Sequence, residues 1–360
     1  METRWSSRPK RSNGRRAFSV VCLLALCSAF ALAGCGSNDE SDGGSVKLKL
    51  ADGIPLDHPV TAYGAKVFME KAEEYSDGRI TFQHFPAEQL VSAADTFEAV
   101  SSGTVDIAWV SPAYVTDALP EASVAELPWG EDIRGISEAY WEVLQSDVLS
   151  GLLSDNGVKA MWGFTFPPAR LCLGGSPIKT RSDIHGLKVK TTLGLRAETI
   201  QALGMTPVDL PGAEMYPAMQ RGTIDAVSIP ISSIAPFSMD ELVKSVLSNV
   251  NLASGAVFYA MNDASWEKLD ADQQDALTRA ADDAMASLNK YYETSEQKIQ
   301  SELESQGIEF FEISASELEQ WREATANVAT DWAKNLDKRG SKGSEVLDLW
   351  LSLMDDLDDA

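Results

Sequence analysis

The chain of 360 residues carries 54 Asp and Glu against 30 Lys and Arg, a formal net charge of −24. That balance repels phosphate backbones and excludes nucleic acid as a partner. The three histidines, His58, His84 and His185, are scattered, and with the four cysteines they form none of the close spacings zinc favours, so neither a metal nor a cofactor is expected.

The first elements concern location. Arg15 and Arg16 precede the apolar run AFSVVCLLALCSAFALA (17–33), which stops at LAGC (32–35). A charged start, an apolar stretch short for a spanning helix and a cleavage site made of small residues read as a signal peptide over 1–34. LAGC resembles a lipobox, in which Cys35 becomes the lipid-bearing N-terminus of the mature chain. An ordinary signal peptide with an incidental cysteine is the plainer alternative. Two acyl chains, at ~0.8 kcal/mol per buried methylene, anchor a protein stably, and residues 35–45 then read as a flexible polar tether. RRAFSV (15–20) is similar to a twin-arginine signal apart from Gly14, so both export routes stay open. Removal of 1–34 leaves 326 residues with 24 cations and 53 acids, net −29. Cys172 is then the single thiol beside a lipid-bearing Cys35, and no intramolecular disulfide is available.

From residue 46 the pattern alternates strand and helix. VKLKLAD (46–52) alternates as a strand, YGAKVFMEKAEEYS (63–76) has helical spacing, and RITFQHF (79–85) alternates again. A helix over 94–103 and a buried-type strand over 105–110 follow. The same grammar restarts with strands at 186–191, 206–210 and 224–229 separated by helices at 195–204 and 213–222. Two such runs predict an α/β, bilobal fold with a cleft between the lobes, where ligands lie outside the carboxyl ends of the strands. No Pro or Gly falls between Asp270 and Gln306, so one helix of roughly 36 residues, about 54 Å long, is expected to cross both lobes. The alternative is a break near Asn289. A short strand (308–313) and further amphipathic helices complete the chain. The expected organisation is lobe I from 46–165 plus about 255–285, lobe II from 166–254 plus about 286–340, and a C-terminal helix over 341–360.

One window breaks the acidic pattern. Residues 170–196 hold Arg170, Lys179, Arg181, Lys188, Lys190 and Arg196 against the single acid Asp183. On strand ends and loops of an α/β lobe, one or two of these cations are placed to meet an anionic ligand, and the rest read as a solvated surface. Arginine grips a carboxylate with a planar fork, whereas lysine offers a point charge.

Five segments in order, AKVFMEKAEEYSDGRITFQHFPAEQL, VSSGTVDIAWVSPAYV, PIKTRSDIHGLKVKTT, ALGMTPVDLPGAEMYPAMQRGTIDAV and MNDASWEKLDADQQDAL, resemble the solute-binding proteins of tripartite ATP-independent periplasmic (TRAP) transporters. The resemblance covers about residues 46–335. It implies a periplasmic-binding-protein-like fold, capture of a small organic acid, and delivery to the integral membrane subunits of a TRAP permease. Two family arginines that meet the ligand carboxylate fall on Arg170 and on Lys190, where the lysine keeps the charge and loses the fork. Arg196 is a possible additional cation. The resemblance further brings His58, Trp109, Ser111 and Tyr114 near the cleft, and replaces a frequent asparagine by Ile229 and a frequent aromatic by Gly212, implying a less polar and roomier pocket. Core packing is an equal alternative for Trp109 and Tyr114. A binding protein for a less polar or neutral solute is the second functional reading. An exported bilobal enzyme is the third, and no Gly-x-Ser-x-Gly elbow, phosphate loop or paired metal ligands support it.

Overall fold

A computed structural model describes residues 44–128 and 133–358. The expected signal peptide over 1–34, Cys35 and most of the expected tether lie outside the described residues.

The first sheet has five strands in the order β2-β1-β3-β10-β4, formed by β1 (Val46–Ala51), β2 (Ile80–Phe85), β3 (Ile107–Val110), β4 (Val158–Thr165) and β10 (Ala256–Asn262). β1 runs parallel to β2 and β3, while β10 is antiparallel to both β3 and β4. Alternation decides the faces. Lys47 and Lys49 of β1 are outward or exposed while Leu48 and Leu50 are buried. In β10, Val257 and Tyr259 join one apolar cluster with Leu48, Phe68 and Trp162, and Phe258 joins the opposite one with Tyr140 and Trp350.

The second sheet has six short strands in the order β11-β9-β5-β8-β6-β7: β5 (Arg170–Leu173), β6 (Lys188–Thr191), β7 (Thr206–Asp209), β8 (Ala226–Ile229), β9 (Ser245–Leu247) and β11 (Glu309–Phe311). Its two faces are also apolar, with Leu171 and Ala226 on one side and Cys172 and Val227 on the other.

Among the described residues, three segments connect strands of one sheet to strands of the other. Two are extended: Phe166 N donates to Gly255 O (2.7 Å), Ala169 N to Ala253 O (2.9 Å) and Leu252 N to Ala169 O (3.0 Å), so the chain leaving β4 and the chain entering β10 zip into a ribbon. The third is the helix Ala271–Ser305, 35 residues without a break at Asn289, started by a capping box between Asp270 and Gln273. Its small residues Ala276, Ala280, Ala281 and Ala284 pack with Leu288 and Tyr292 into the first-sheet cluster, whereas Leu303 enters the second-sheet cluster.

Three local outcomes differ from the sequence reading. The helix expected from 63 starts earlier, as a six-residue π-turn Val60–Ala65 leading into Lys66–Tyr75. The long helix serves the first cluster as far as Tyr292, beyond the expected boundary near 285. The helix Val328–Lys338, expected with lobe II, buries Val328, Trp332 and Leu336 in the first-sheet cluster beside Leu119 and Tyr140. The C-terminal helix Gly343–Asp358 adds Trp350 to the same cluster. Among the described residues no helix is long and apolar enough to cross a membrane.

Candidate functional site

Strand ends of both sheets converge on one cavity. From the first sheet come Gly53, Ile54 and His58 after β1, Trp109 of β3 with Ser111 and Tyr114 after it, and Phe166 after β4. From the second come Lys190 of β6 with Thr192 and Arg196 beyond it, and Ile229 of β8 with Ser233 and Phe237. The cavity measures about 90 Å³, the order of the ~150 Å³ cavity that accepts a benzene. A wider hollow of about 470 Å³ shares Gly53, Glu88, Gly212 and Phe237 with it.

The lining cations are Lys190 and Arg196. In β6, Lys188 and Lys190 share one face of the strand; Lys188 at its start is exposed, whereas Lys190, nearer the carboxyl end that meets the cavity, is 5% exposed. Burial, reinforced by the neighbouring Arg196 charge and opposed by Asp209, pushes the Lys190 ammonium down to about 7. Arg196 Nη2 donates to Ser228 O at 3.1 Å, and its buried Nε meets no acceptor among the described residues. Thr192 Oγ1 and Trp109 Nε1 are likewise buried without a partner there. Unmet buried donors cost free energy until an acceptor arrives, so the cavity suits a ligand rich in acceptors.

The remaining wall is aromatic and aliphatic. The rings of Phe166 and Phe237 stand 5.9 and 5.8 Å from the His58 imidazole, and Trp109 stands 6.3 Å from Tyr114. Burial drives His58 down to about 3 and Tyr114 up to about 12, so both are neutral at physiological pH. Both imidazole nitrogens are engaged: Val60 N donates to Nδ1 at 3.2 Å, and Nε2 lies 3.1 Å from Ser233 Oγ. Near Arg196, burial raises the Glu126 carboxyl to about 7 against the opposing Arg196 charge and an Ala256 N–H.

Of the site residues expected from sequence, His58, Trp109, Ser111, Tyr114, Lys190, Ile229 and Arg196 line this cavity. Arg170 does not: it is buried in β5, and its Nη1 donates to Val250 O at 3.1 Å. The expected pairing of Arg170 with Lys190 therefore gives way to Lys190 with Arg196 as the cavity's lining cations. Nor does Gly212 widen the site. A Cβ there would lie 2.9 Å from Phe237 Cε1, so an aromatic from further along the chain fills the space. Gly255 plays a related part, since a Cβ there would lie 2.8 Å from Phe166 Cδ2. Phe166, Thr192, Ser233 and Phe237 were not anticipated, although the first and last two follow Pro-flanked ends of strands. The other cations of the 170–196 window lie elsewhere, with Lys179 exposed and Arg181 donating to the carbonyls of Ala202 and Leu203 at a helix end.

Residues 53–335 match the family model described as bacterial extracellular solute-binding protein, family 7 (DctP). The chain is 26% identical over 336 residues to the outer membrane transporter protein TsaT of Comamonas testosteroni, covering 92% of this chain and 96% of that one. It is 28% identical over 298 residues to the C4-dicarboxylate-binding periplasmic protein DctP of Rhodobacter capsulatus, with coverage of 81% and 87%. In fold it is similar to a TRAP solute-binding protein from Rhodoferax ferrireducens T118 crystallised with copurified benzoate, with a TM-score of 0.80, 23% identity, and coverage of 88% of this chain and 99% of that one. With a matching family model across most of its length and a bilobal fold closed around one lined cavity, the chain belongs to family 7 of the bacterial extracellular solute-binding proteins, which are receptors and not enzymes.

Proposed function

We propose that this protein is an extracytoplasmic receptor for a compact organic monocarboxylate with an apolar, ring-sized body, which it delivers to the membrane subunits of a TRAP permease while tethered to the membrane through a lipid on Cys35. The observation that carries the ligand class is the cavity: buried donors of Lys190, Arg196, Thr192 and Trp109 beside the rings of Phe166 and Phe237. A carboxylate supplies acceptors to the donors, and a flat apolar body fills the remainder. Among the described lining residues the cations are Lys190 and Arg196, whose charges act on each other and so suit one shared carboxylate. The benzoate carried by the Rhodoferax relative is of this class, while the named ligand of the Rhodobacter relative is not.

The low basicity of Lys190 favours a second reading, in which a neutral solute is bound with the lysine unprotonated. A thermal-shift panel of benzoate, pyroglutamate, succinate and benzamide separates the two. Under the first reading benzoate raises the melting point most, with about 2.7 kcal/mol of added stability at 100 times its dissociation constant. Stabilisation by benzamide equal to that by benzoate would support the neutral reading, and stabilisation by succinate alone would overturn both.

A further inference from the structure

His58 and Ser233 are 175 positions apart, one following β1 of the first sheet and the other following β8 of the second, and their side chains meet at 3.1 Å in the wall of the cavity. The direction of that hydrogen bond is determined by a second contact. The backbone N–H of Val60 points at His58 Nδ1 at 3.2 Å, and a backbone N–H can only donate. Nδ1 therefore carries its lone pair. The imidazole is 1% exposed and lies between Phe166 and Phe237, a setting that disfavours the charged form, in keeping with a value near 3. A neutral ring with an unprotonated Nδ1 carries its proton on Nε2, and Nε2–H donates to Ser233 Oγ. The serine oxygen thus accepts from the histidine, and its own proton has no acceptor among the described residues.

We propose that Ser233 is a ligand-reading hydroxyl whose proton is turned into the cavity by the Nε2–H of His58, with His58 as a positioning residue that does not itself touch the ligand. The inference rests on the reading of this cavity as the solute site. It changes the role expected for His58 from direct contact to orientation of a residue on the opposite sheet. It also explains the π-turn at Val60–Ala65, where the wider helical turn begins directly behind His58 and presents the Val60 N–H to the ring. A hydroxyl held as a donor prefers ligands with an acceptor at that wall. One free to rotate donates or accepts equally well and loses that preference.

Two measurements test this. The chain has three histidines, so the ¹⁵N signals of His58 in labelled protein are assigned by their loss in His58→Phe. The expected result, in the protein without added ligand, is a protonated Nε2 and a bare Nδ1 that stay unchanged from pH 8 to pH 5. A ring protonated at Nδ1, or doubly protonated at pH 7, overturns the proposal. The second is a double-mutant cycle by calorimetry with benzoate as probe. Ser233→Ala should weaken binding about 10- to 100-fold, as for loss of a hydrogen bond to a charged acceptor, and His58→Phe about tenfold. The double variant should bind within twofold of Ser233→Ala, because His58 acts only through the serine. Additive losses overturn the proposal. If His58→Phe does not fold, His58→Gln, which keeps an N–H for Ser233, takes its place and should bind within about threefold of wild type; a loss as large as that of Ser233→Ala overturns the proposal. Failure of the wild-type protein to bind benzoate would sink the carboxylate reading of the cavity. The tautomer measurement would still decide the histidine's role, with the cycle repeated on the solute that most stabilises the protein.

Discussion

Phe237 lies so close over Gly212 that a Cβ at position 212 would stand 2.9 Å from its Cε1 and 3.1 Å from its Cζ. The aromatic that bounds this side of the cavity thus comes from the segment after β8, and the glycine is what lets it in. Gly212→Ala should push the ring aside and cost about 1–3 kcal/mol in overpacking, with benzoate affinity falling roughly tenfold. Gly212→Ala combined with Phe237→Ala should lose less stability than the sum of the two single losses and accept bulkier acids than wild type. Calorimetry and melting curves on Gly212→Ala, Phe237→Ala and the double variant check this, and additive effects of the two substitutions would contradict the contact.

The two cations of the cavity should dominate affinity. Truncating one partner of a buried charge pair costs roughly 2–5 kcal/mol, or about 30- to 5,000-fold. Lys190→Ala and Arg196→Ala are each expected to fall in that range for a carboxylate ligand. Arg170→Ala should affect folding stability more than affinity, since its guanidinium holds the carbonyl of Val250 near the ribbon that joins the sheets. Lys179→Ala, an exposed charge, should change affinity less than about twofold. Isothermal titration of the four variants decides, and a dominant loss at Arg170 alone would restore that residue as the main anion contact.

Ligand affinity should depend on pH through Lys190. In the free protein its ammonium titrates near 7, and a bound carboxylate stabilises the charged form, so above that pH binding must take up a proton. The association constant is expected to be level from pH 6 to 7 and to fall above 7, toward tenfold per pH unit. Glu126, also near 7, acts in the same direction when it ionises beside Arg196, whereas His58 and Tyr114 stay neutral throughout. Lys190→Arg should remove most of the dependence. For folding without ligand the sign reverses. The unfolded lysine holds its proton up to about 10.5 while the folded one releases it near 7, so this group adds stability as pH rises through that window. Titrations and melting curves at pH 6, 7, 8 and 9 measure both.

Cys35→Ala should release the protein from membranes and leave binding by the soluble chain intact. Fractionation of cells expressing the variant measures this, and full retention in the membrane fraction would refute the lipobox.

Much of the architecture was legible because its causes are local. Alternation in VKLKLAD sets which side of that strand is buried, with Leu48 and Leu50 in and Lys47 and Lys49 out. The stretch from Asp270 to Gln306 contains no breaker and opens with a capping box, so its 35-residue helix follows from propensity and caps. The ends of the strands, and hence the cleft where His58, Trp109 and Ser111 meet Ile229, follow from the strand-helix order.

Periodicity, capping and breakers act within a few residues, and they encode two α/β sheets, a helix long enough to join them, and cations on strand ends. Which cation enters the cavity was decided only by tertiary structure. Arg170 sits opposite Ile229 in the β5–β8 register, yet its long side chain reaches the carbonyl of Val250, contributed by the segment after β9. Phe237 over Gly212, His58 against Ser233 and Trp332 returning to the first-sheet core are likewise contacts between segments far apart in the chain. They exist because closing two sheets around one cavity leaves each buried donor and ring few places to go, and that competition for space has no local signature in the order of the residues.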